Sequence, residues 1–137
     1  MEPGATTITL VNGVVATADA NNNGTAGDLE IINGTGAAIT FAVNIDASAL
    51  TGVNAINVSS TDFNGADSMT GGAGVDTINA GSGDDTIKGN AGADNLSGGA
   101  GNDLFIVSAA TDFAVGETIS GGSGADDVLR LDAAATY

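Results

Sequence analysis

The chain has 137 residues, with 17 Asp or Glu against 2 Lys or Arg and a formal net charge of −15 at pH 7. So large an acidic excess argues against nucleic acid and anionic lipid as partners, since both call for a cationic surface, and makes divalent cations the obvious counter-charge. With no Cys and no His, a disulfide framework, a thiol nucleophile, a histidine-activated serine and a Cys/His transition-metal site are excluded.

Glycine supplies 22 residues and aromatics only 4%, while 42% of the chain is hydrophobic. Most of that fraction is Ala, Val, Ile and Leu, a mixture that suits a thin, layered β structure better than disorder. No apolar run reaches the 18 residues or so of a membrane span, so no membrane insertion is expected. The start, MEPGATTITL, lacks the basic stretch and apolar block of a signal peptide. The chain is expected to be cut from a longer, exported protein.

Residues 1–61 read as short strands between Asn-Gly turns, with Asn12-Gly13, Asn23-Gly24 and Asn33-Gly34 as the turn dipeptides. Strand candidates are Ile8 with Leu10, Val14 with Val15, 29–32, 39–45 and Ile56 with Val58; 39–45 alternates apolar with small or polar residues most clearly. Residues 46–50 are expected to form one helical turn. Within this region, 19–30 fits D-x-[DN]-x-[DN]-G-x5-E. That template makes Asp19, Asn21, Asn23 and Glu30 side-chain ligands of Ca²⁺ and Thr25 a carbonyl ligand, with Gly24 at the sharp turn. The strand-like flanks argue against a true EF-hand. A calcium loop in a β context and a plain Asn-rich turn both stay open. Residues 1–61 as a whole are expected to be a β-rich cap, or an irregular solenoid segment that runs into the repeats beginning at residue 62.

From residue 62 a nine-residue period takes over. Its copies are DFNGADSMT (62–70), GGAGVDTIN (71–79), AGSGDDTIK (80–88), GNAGADNLS (89–97), GGAGNDLFI (98–106), DFAVGETIS (112–120) and GGSGADDVL (121–129), with a five-residue insertion, VSAAT, at 107–111. Place six holds Asp67, Asp76, Asp85, Asp94, Asp103, Glu117 and Asp126; place eight holds Met69, Ile78, Ile87, Leu96, Phe105, Ile119 and Val128. Six residues make a glycine-rich turn and three make a minimal strand whose central side chain points inward. Two blocks form one coil, and coils stack at the strand spacing of about 4.8 Å. The acids then stand in two files: 67, 85, 103 and 126 on one edge, 76, 94 and 117 on the other. Carboxylates that close must be protonated or bridged by a cation. Carboxylates plus turn carbonyls are hard-oxygen ligands that suit Ca²⁺, with its 6–8 ligands, better than Mg²⁺. One Ca²⁺ per stacked pair gives about five positions: 67/85, 85/103, 103/126, 76/94 and 94/117.

The blocks GGAGVDTIN, GGAGNDLFI and GGSGADDVL resemble the calcium-binding nonapeptides of the RTX (repeats-in-toxin) family. The resemblance covers 62–129, about half of the chain, and several copies in phase make it specific. It implies an all-β fold, a parallel β-roll that folds on meeting external calcium, and secretion through a one-step bacterial (type I) exporter. It also implies metal binding by the place-six acids, completed by turn carbonyls such as those of Gly72, Gly74, Gly81, Gly83, Gly99 and Gly101.

The organisation expected is a cap or solenoid segment at 1–61, a calcium-binding roll at 62–129 and a tail at 130–137. Asp84 and Asp127, one place off phase, are expected to be solvated, and Lys88 and Arg130 to neutralise charge on strand edges. No pocket, base or nucleophile suggests an enzyme. The function expected is a non-enzymatic calcium-binding module of a secreted or cell-surface protein. The alternatives are a self-assembling segment of a surface layer or adhesin, and an accessory module of an exported enzyme.

Overall fold

A computed structural model describes residues 6–11, 29–31, 40–52, 55–59 and 63–132. Eleven strands run through them: β1 (Thr6–Val11), β2 (Leu29–Ile31), β3 (Val43–Ala49), β4 (Ile56–Ser59), β5 (Ser68–Thr70), β6 (Thr77–Ser82), β7 (Thr86–Lys88), β8 (Asn95–Ala100), β9 (Leu104–Val107), β10 (Thr118–Ser123) and β11 (Val128–Leu131). The described residues contain no α-helix; one 3₁₀ turn, Ala110–Asp112, lies between β9 and β10.

Odd-numbered strands form one sheet in the order β1-β3-β5-β7-β9-β11, and even-numbered strands form the other in the order β10-β8-β6-β4-β2. Every pairing is parallel. The chain therefore winds from one sheet to the other and back, a two-sheet parallel β-solenoid. Strand pairing passes from β3 to β5 and from β4 to β6 with no change of sheet, so the strands before residue 62 stack on the same two sheets as those after it.

Register shows where the repeat is strict. Met69 pairs with Ile87 and Ile87 with Phe105, and Ile78 with Leu96, each a step of 18 residues. Elsewhere the turns lengthen while the strands hold their stacking. Ile45 pairs with Met69, and Leu96 with Ile119.

The core is a narrow double row. Val43, Ile45, Ala47, Met69, Ile87 and Phe105 come from one sheet, and Ile56, Val58, Ile78 and Leu96 from the other; Leu50, Phe63 and Ala80 complete the buried cluster. Alternation by two sends these side chains inward and leaves Thr, Ser and Asn half-covered on the outer faces. At the C-terminal end, Val128, Leu129 and Leu131 are about half exposed.

Three expectations are corrected here. Residues 46–50 do not form a helical turn: β3 runs through Ala49, because the alternation of Val43, Ile45 and Ala47 continues past Ile45. Leu129, not Val128, takes the inner place of the last coil, since Leu129 pairs with Phe105 while Val128 pairs with Leu104. The inserted length is five residues on the β8/β10 side (Asn95 to Thr118) but six on the β9/β11 side (Leu104 to Val128). Expected strands at Ile8/Leu10 and Ile56/Val58 match β1 and β4, β2 takes up 29–31 of the expected 29–32, and the strand expected at 39–45 begins only at Val43; Val14, Val15, Ile32 and residue 39 lie outside the described residues.

Candidate metal centre

In each regular coil the place-six acid turns inward and is fastened to the coil before it. Along one edge the N–H of Asp67 donates to Asp85 Oδ1 at 2.7 Å, and that of Asp85 to Asp103 Oδ1 at 3.0 Å. Along the other, the N–H of Asp76 donates to Asp94 Oδ1 at 2.9 Å, and that of Asp94 to Glu117 Oε2 at 3.0 Å. Each file is anchored at its N-terminal end by an apolar residue's peptide: Val43 N–H to Asp67 Oδ1 at 2.7 Å, and Ile56 N–H to Asp76 Oδ1 at 2.8 Å. The carbonyls of these acids accept from the following coil, as Asp67 does from Thr86 N–H and Asp85 from Leu104 N–H, both at 2.8 Å. Asp67, Asp76, Asp85, Asp94 and Asp103 are therefore tied on both sides.

Each of these carboxylates has a second oxygen. Asp67, Asp85, Asp94 and Asp103 are at most 2% exposed, and their Oδ2 atoms are buried with no hydrogen-bond partner. Native interiors rarely leave a carboxylate oxygen in that condition. Burial raises Asp67, Asp94 and Asp103 above the ordinary Asp range. It pushes Asp85 up to about 6, with the charges of Asp67, Asp103 and Asp84 adding to the effect. Glu117 also rises to about 6, by burial first and then by the charges of Asp94, Asp112 and Asp76. Asp76 differs, because its Oδ2 accepts from Gly72 N–H at 2.7 Å.

The glycines make room for this arrangement. A Cβ on the first glycine of a block would collide with the acid of the same block: Gly89 with Asp94 Oδ2, and Gly98 with Asp103 Oδ2. Others let successive turns touch. Gly99 and Gly101 have φ of +109° and +130°, and a Cβ on either would overlap the carbonyl oxygen of Gly81 or Gly83 in the coil before. The Gly74 carbonyl faces Gly92 in the same way, and those of Gly99 and Gly101 face Gly122 and Gly124. Gly72 stands apart, offering its N–H to Asp76.

Among the described residues no three acidic side chains converge closely enough to hold a metal by themselves. What the turns present is carboxylate oxygen from neighbouring coils beside peptide carbonyls, an all-oxygen donor set. Partnerless, buried carboxylate oxygens next to space that a Cβ would fill are a fit for Ca²⁺.

The sequence placed Asp67, Asp76, Asp85, Asp94, Asp103 and Glu117 in two files, and the structure stacks them so. Asp126 is corrected: both acids are exposed, but it is Asp127 whose Oδ1 accepts the Asp103 N–H, at 3.0 Å. The turn before β11 carries one extra residue, and the N–H groups of Ala125 and Asp126 both donate to Asn102 Oδ1, at 3.3 and 3.2 Å. A spacing rule could have found Asp127. In every other coil the acid stands two residues before the inward apolar side chain, and Leu129 is that side chain here. Asp84 is exposed, but it is no free surface acid, because its Oδ1 accepts Asn102 N–H at 2.8 Å.

Asp112 is a residue the sequence reading missed. It ends the 3₁₀ turn, is nine-tenths buried, and its Oδ2 accepts the N–H groups of Ser108 and Ala109, both at 3.1 Å. Its charge reaches both Asp94 and Glu117. Asp19, Asn21, Asn23 and Thr25 lie outside the described residues; Glu30 belongs to β2, paired with Asn57 of β4.

The family model described as the RTX calcium-binding nonapeptide repeat matches the chain in four copies, over residues 64–87, 70–105 and 80–113. Comparison with curated proteins and with solved structures gives no match. Repeats of this kind make calcium-binding β-roll modules of secreted bacterial proteins, and are typically structural rather than catalytic. No helix among the described residues is long and apolar enough to cross a membrane.

Proposed function

Taking the array of RTX calcium-binding nonapeptide repeats at the centre of this chain as the premise, we propose that the protein is a non-enzymatic module that folds on Ca²⁺ binding, within a larger protein exported by a one-step bacterial secretion system. The observation that carries this reading is the row of buried, partnerless Oδ2 atoms on Asp67, Asp85, Asp94 and Asp103. Those residues, with Asp76, Glu117 and Asp127 and the turn carbonyls of Gly74, Gly81, Gly83, Gly99 and Gly101, are the donors that would hold the ions. Asp76 is the least available of them, since both its oxygens accept peptide N–H groups. About five positions follow from the two files, 67/85, 85/103, 103/127, 76/94 and 94/117.

Folding is then coupled to charge. With a formal net charge of −15, mutual repulsion opposes the compact chain, and burial of unpaired carboxylates adds to the cost. Glycine-rich turns also lose much conformational freedom on ordering. Cation binding to the folded form alone shifts that balance, so binding free energy becomes folding free energy. Affinities in the range of extracellular modules, about 10⁻⁴ to 10⁻³ M, keep the chain unfolded at cytoplasmic calcium and let it fold outside.

Far-ultraviolet circular dichroism during a calcium titration tests the proposal. The expected result is a disordered spectrum in chelator, a β spectrum in millimolar Ca²⁺ and little response to Mg²⁺. A β spectrum of full amplitude in chelator at pH 7 would contradict it.

A second reading, calcium-dependent assembly of a surface layer or adhesin, draws on the half-exposed Val128, Leu129 and Leu131 at the C-terminal end of the roll. It expects particle size to grow with calcium in light scattering; a monomer at every calcium concentration would count against it.

A further inference from the structure

Turns on the Asp67–Asp85–Asp103–Asp127 edge carry two ladders that run in opposite directions. The inner one is the acid file, in which each carboxylate accepts the N–H of the coil before: Asp103 Oδ1 from Asp85, and Asp127 Oδ1 from Asp103. The outer one occupies the residue before each acid and accepts from the coil after: Asp84 Oδ1 from Asn102 N–H at 2.8 Å, and Asn102 Oδ1 from Ala125 and Asp126 N–H. The 85/103 step is therefore clasped both ways. Of the two outer rungs only Asp84 is charged. Ala66, Val75, Ala93 and Gly116 hold the corresponding place before the acids of other coils and can neither clasp nor charge their steps, while Asp126, before Asp127, is charged but takes part in the ladder through its N–H, which donates to Asn102 Oδ1.

We propose that Asp84 is a third acidic group of the cation position between the turns of Asp85 and Asp103, acting through its fixed charge rather than as a ligand, and that it raises the Ca²⁺ affinity of this position above that of its neighbour between Asp67 and Asp85. The proposal rests on the calcium reading above. Two further observations favour a cation here. Asp85 and Asp103, the acids on either side, each keep a buried Oδ2 with no partner. Asp84 Oδ1 also lies against the turn between them, where a Cβ on Gly101 would sit 3.1 Å from it.

The reach of Asp84 is local. Its carboxylate is fastened to the Asn102 N–H and lies against Gly101, both in the turn that leads to Asp103, so its charge stands at the 85/103 step. A fixed negative charge at that step attracts a dication through Coulomb's law. For a unit charge one turn-width away and partly solvated, the expected gain is about tenfold in affinity.

Asp84→Asn separates charge from clasp, because the amide oxygen can still accept the Asn102 N–H. Per-site constants of the full chain, resolved by competition with a calibrated chelator, should show Asp84→Asn binding as many Ca²⁺ as the parent, with one site weakened by about tenfold. The weakening should shrink at high salt, since Asp84 is exposed and its field is screened. Asp84→Ala should weaken the same site and also unfold more easily. The proposal is overturned if Asp84→Asn titrates like the parent, if it loses an ion outright, which would make Asp84 a ligand, or if its deficit is the same at low and high salt. A parent chain that takes up no Ca²⁺ would instead defeat the calcium reading, whatever Asp84 does.

Discussion

The main-chain N–H of Asp103 donates to Asp127 Oδ1 at 3.0 Å, across 24 residues of chain. That bond continues the inner file past an inserted segment and past one extra turn residue, and it assigns the last acid of the file. Asp127→Ala is expected to lower the number of bound Ca²⁺ by one and to reduce stability. Asp126→Ala, at an exposed position, should change stability by no more than about 0.5 kcal/mol. Calorimetric calcium titration of the two variants checks the assignment; equal losses would refute it.

Close stacking of turns makes some glycines irreplaceable and leaves others free. Gly99→Ala sets a side chain at φ +109° against the Gly81 carbonyl. Left-handed strain and overpacking together should cost about 2–5 kcal/mol. Gly52 also has a positive φ, +76°, but a Cβ there meets nothing within 4 Å, so Gly52→Ala should cost only about 1 kcal/mol. Denaturant unfolding at saturating calcium measures both.

The pH dependence follows from the raised carboxylates. Asp85 and Glu117 are pushed up to about 6 in the fold, against about 4 for unfolded carboxylates. Between those values the folded chain binds more protons than the unfolded one, so stability falls as pH rises. Asp67, Asp94 and Asp103 act in the same direction. Metal-free protein should therefore gain β structure as pH is lowered from 7 towards 4. Calcium affinity should drop over the same interval, because protons compete for the same oxygens. Far-ultraviolet circular dichroism of calcium-free protein at pH 5 and pH 7 tests the sign; more β structure at pH 7 than at pH 5 would reverse it.

Asp112 does two things that substitution can separate. Its Oδ2 accepts two peptide N–H groups, from Ser108 and Ala109, and its charge adds to the burial and the Asp94 charge that raise the Glu117 carboxyl. Asp112→Asn should keep the turn and lower the apparent pKa of Glu117 from about 6 towards its ordinary value. Asp112→Ala should do the same and lose about 1–3 kcal/mol of stability, since both N–H groups lose their acceptor. Carboxyl chemical shifts followed through a pH titration by NMR read the first effect.

Much of this was legible in the sequence because the repeat is strict where it matters most. A fixed phase of nine residues gave the two files and the inward row from Met69 to Phe105 without knowledge of any contact. Legibility ended where length changed. At the insertion and at the turn of Ala125 and Asp126, counting in nines moved the assignment to Asp126 and Val128. Strand register, which obeys hydrogen bonding and the inward placing of Leu129, chose Asp127. Asp112 was invisible for a related reason, since it lies at the insertion and comes near Asp94 only because the longer loop closes on itself in a 3₁₀ turn. Period alone says nothing of hydrogen bonds between coils, so it leaves Asp84 a solvated acid where the structure makes it a clasp. Residues 46–50 look helical in isolation, and only pairing with β1 and β5 makes 43–49 a strand: tertiary context overrides weak local preference.

The most direct measurement is an anomalous difference map from crystals grown in millimolar calcium. Peaks beside the Oδ2 atoms of Asp85 and Asp103, in line with Asp67 and Asp127, are the expected result. An intact file whose Oδ2 atoms contact only water or protein, with no anomalous signal between successive turns, would contradict the claim that cations tie one coil to the next.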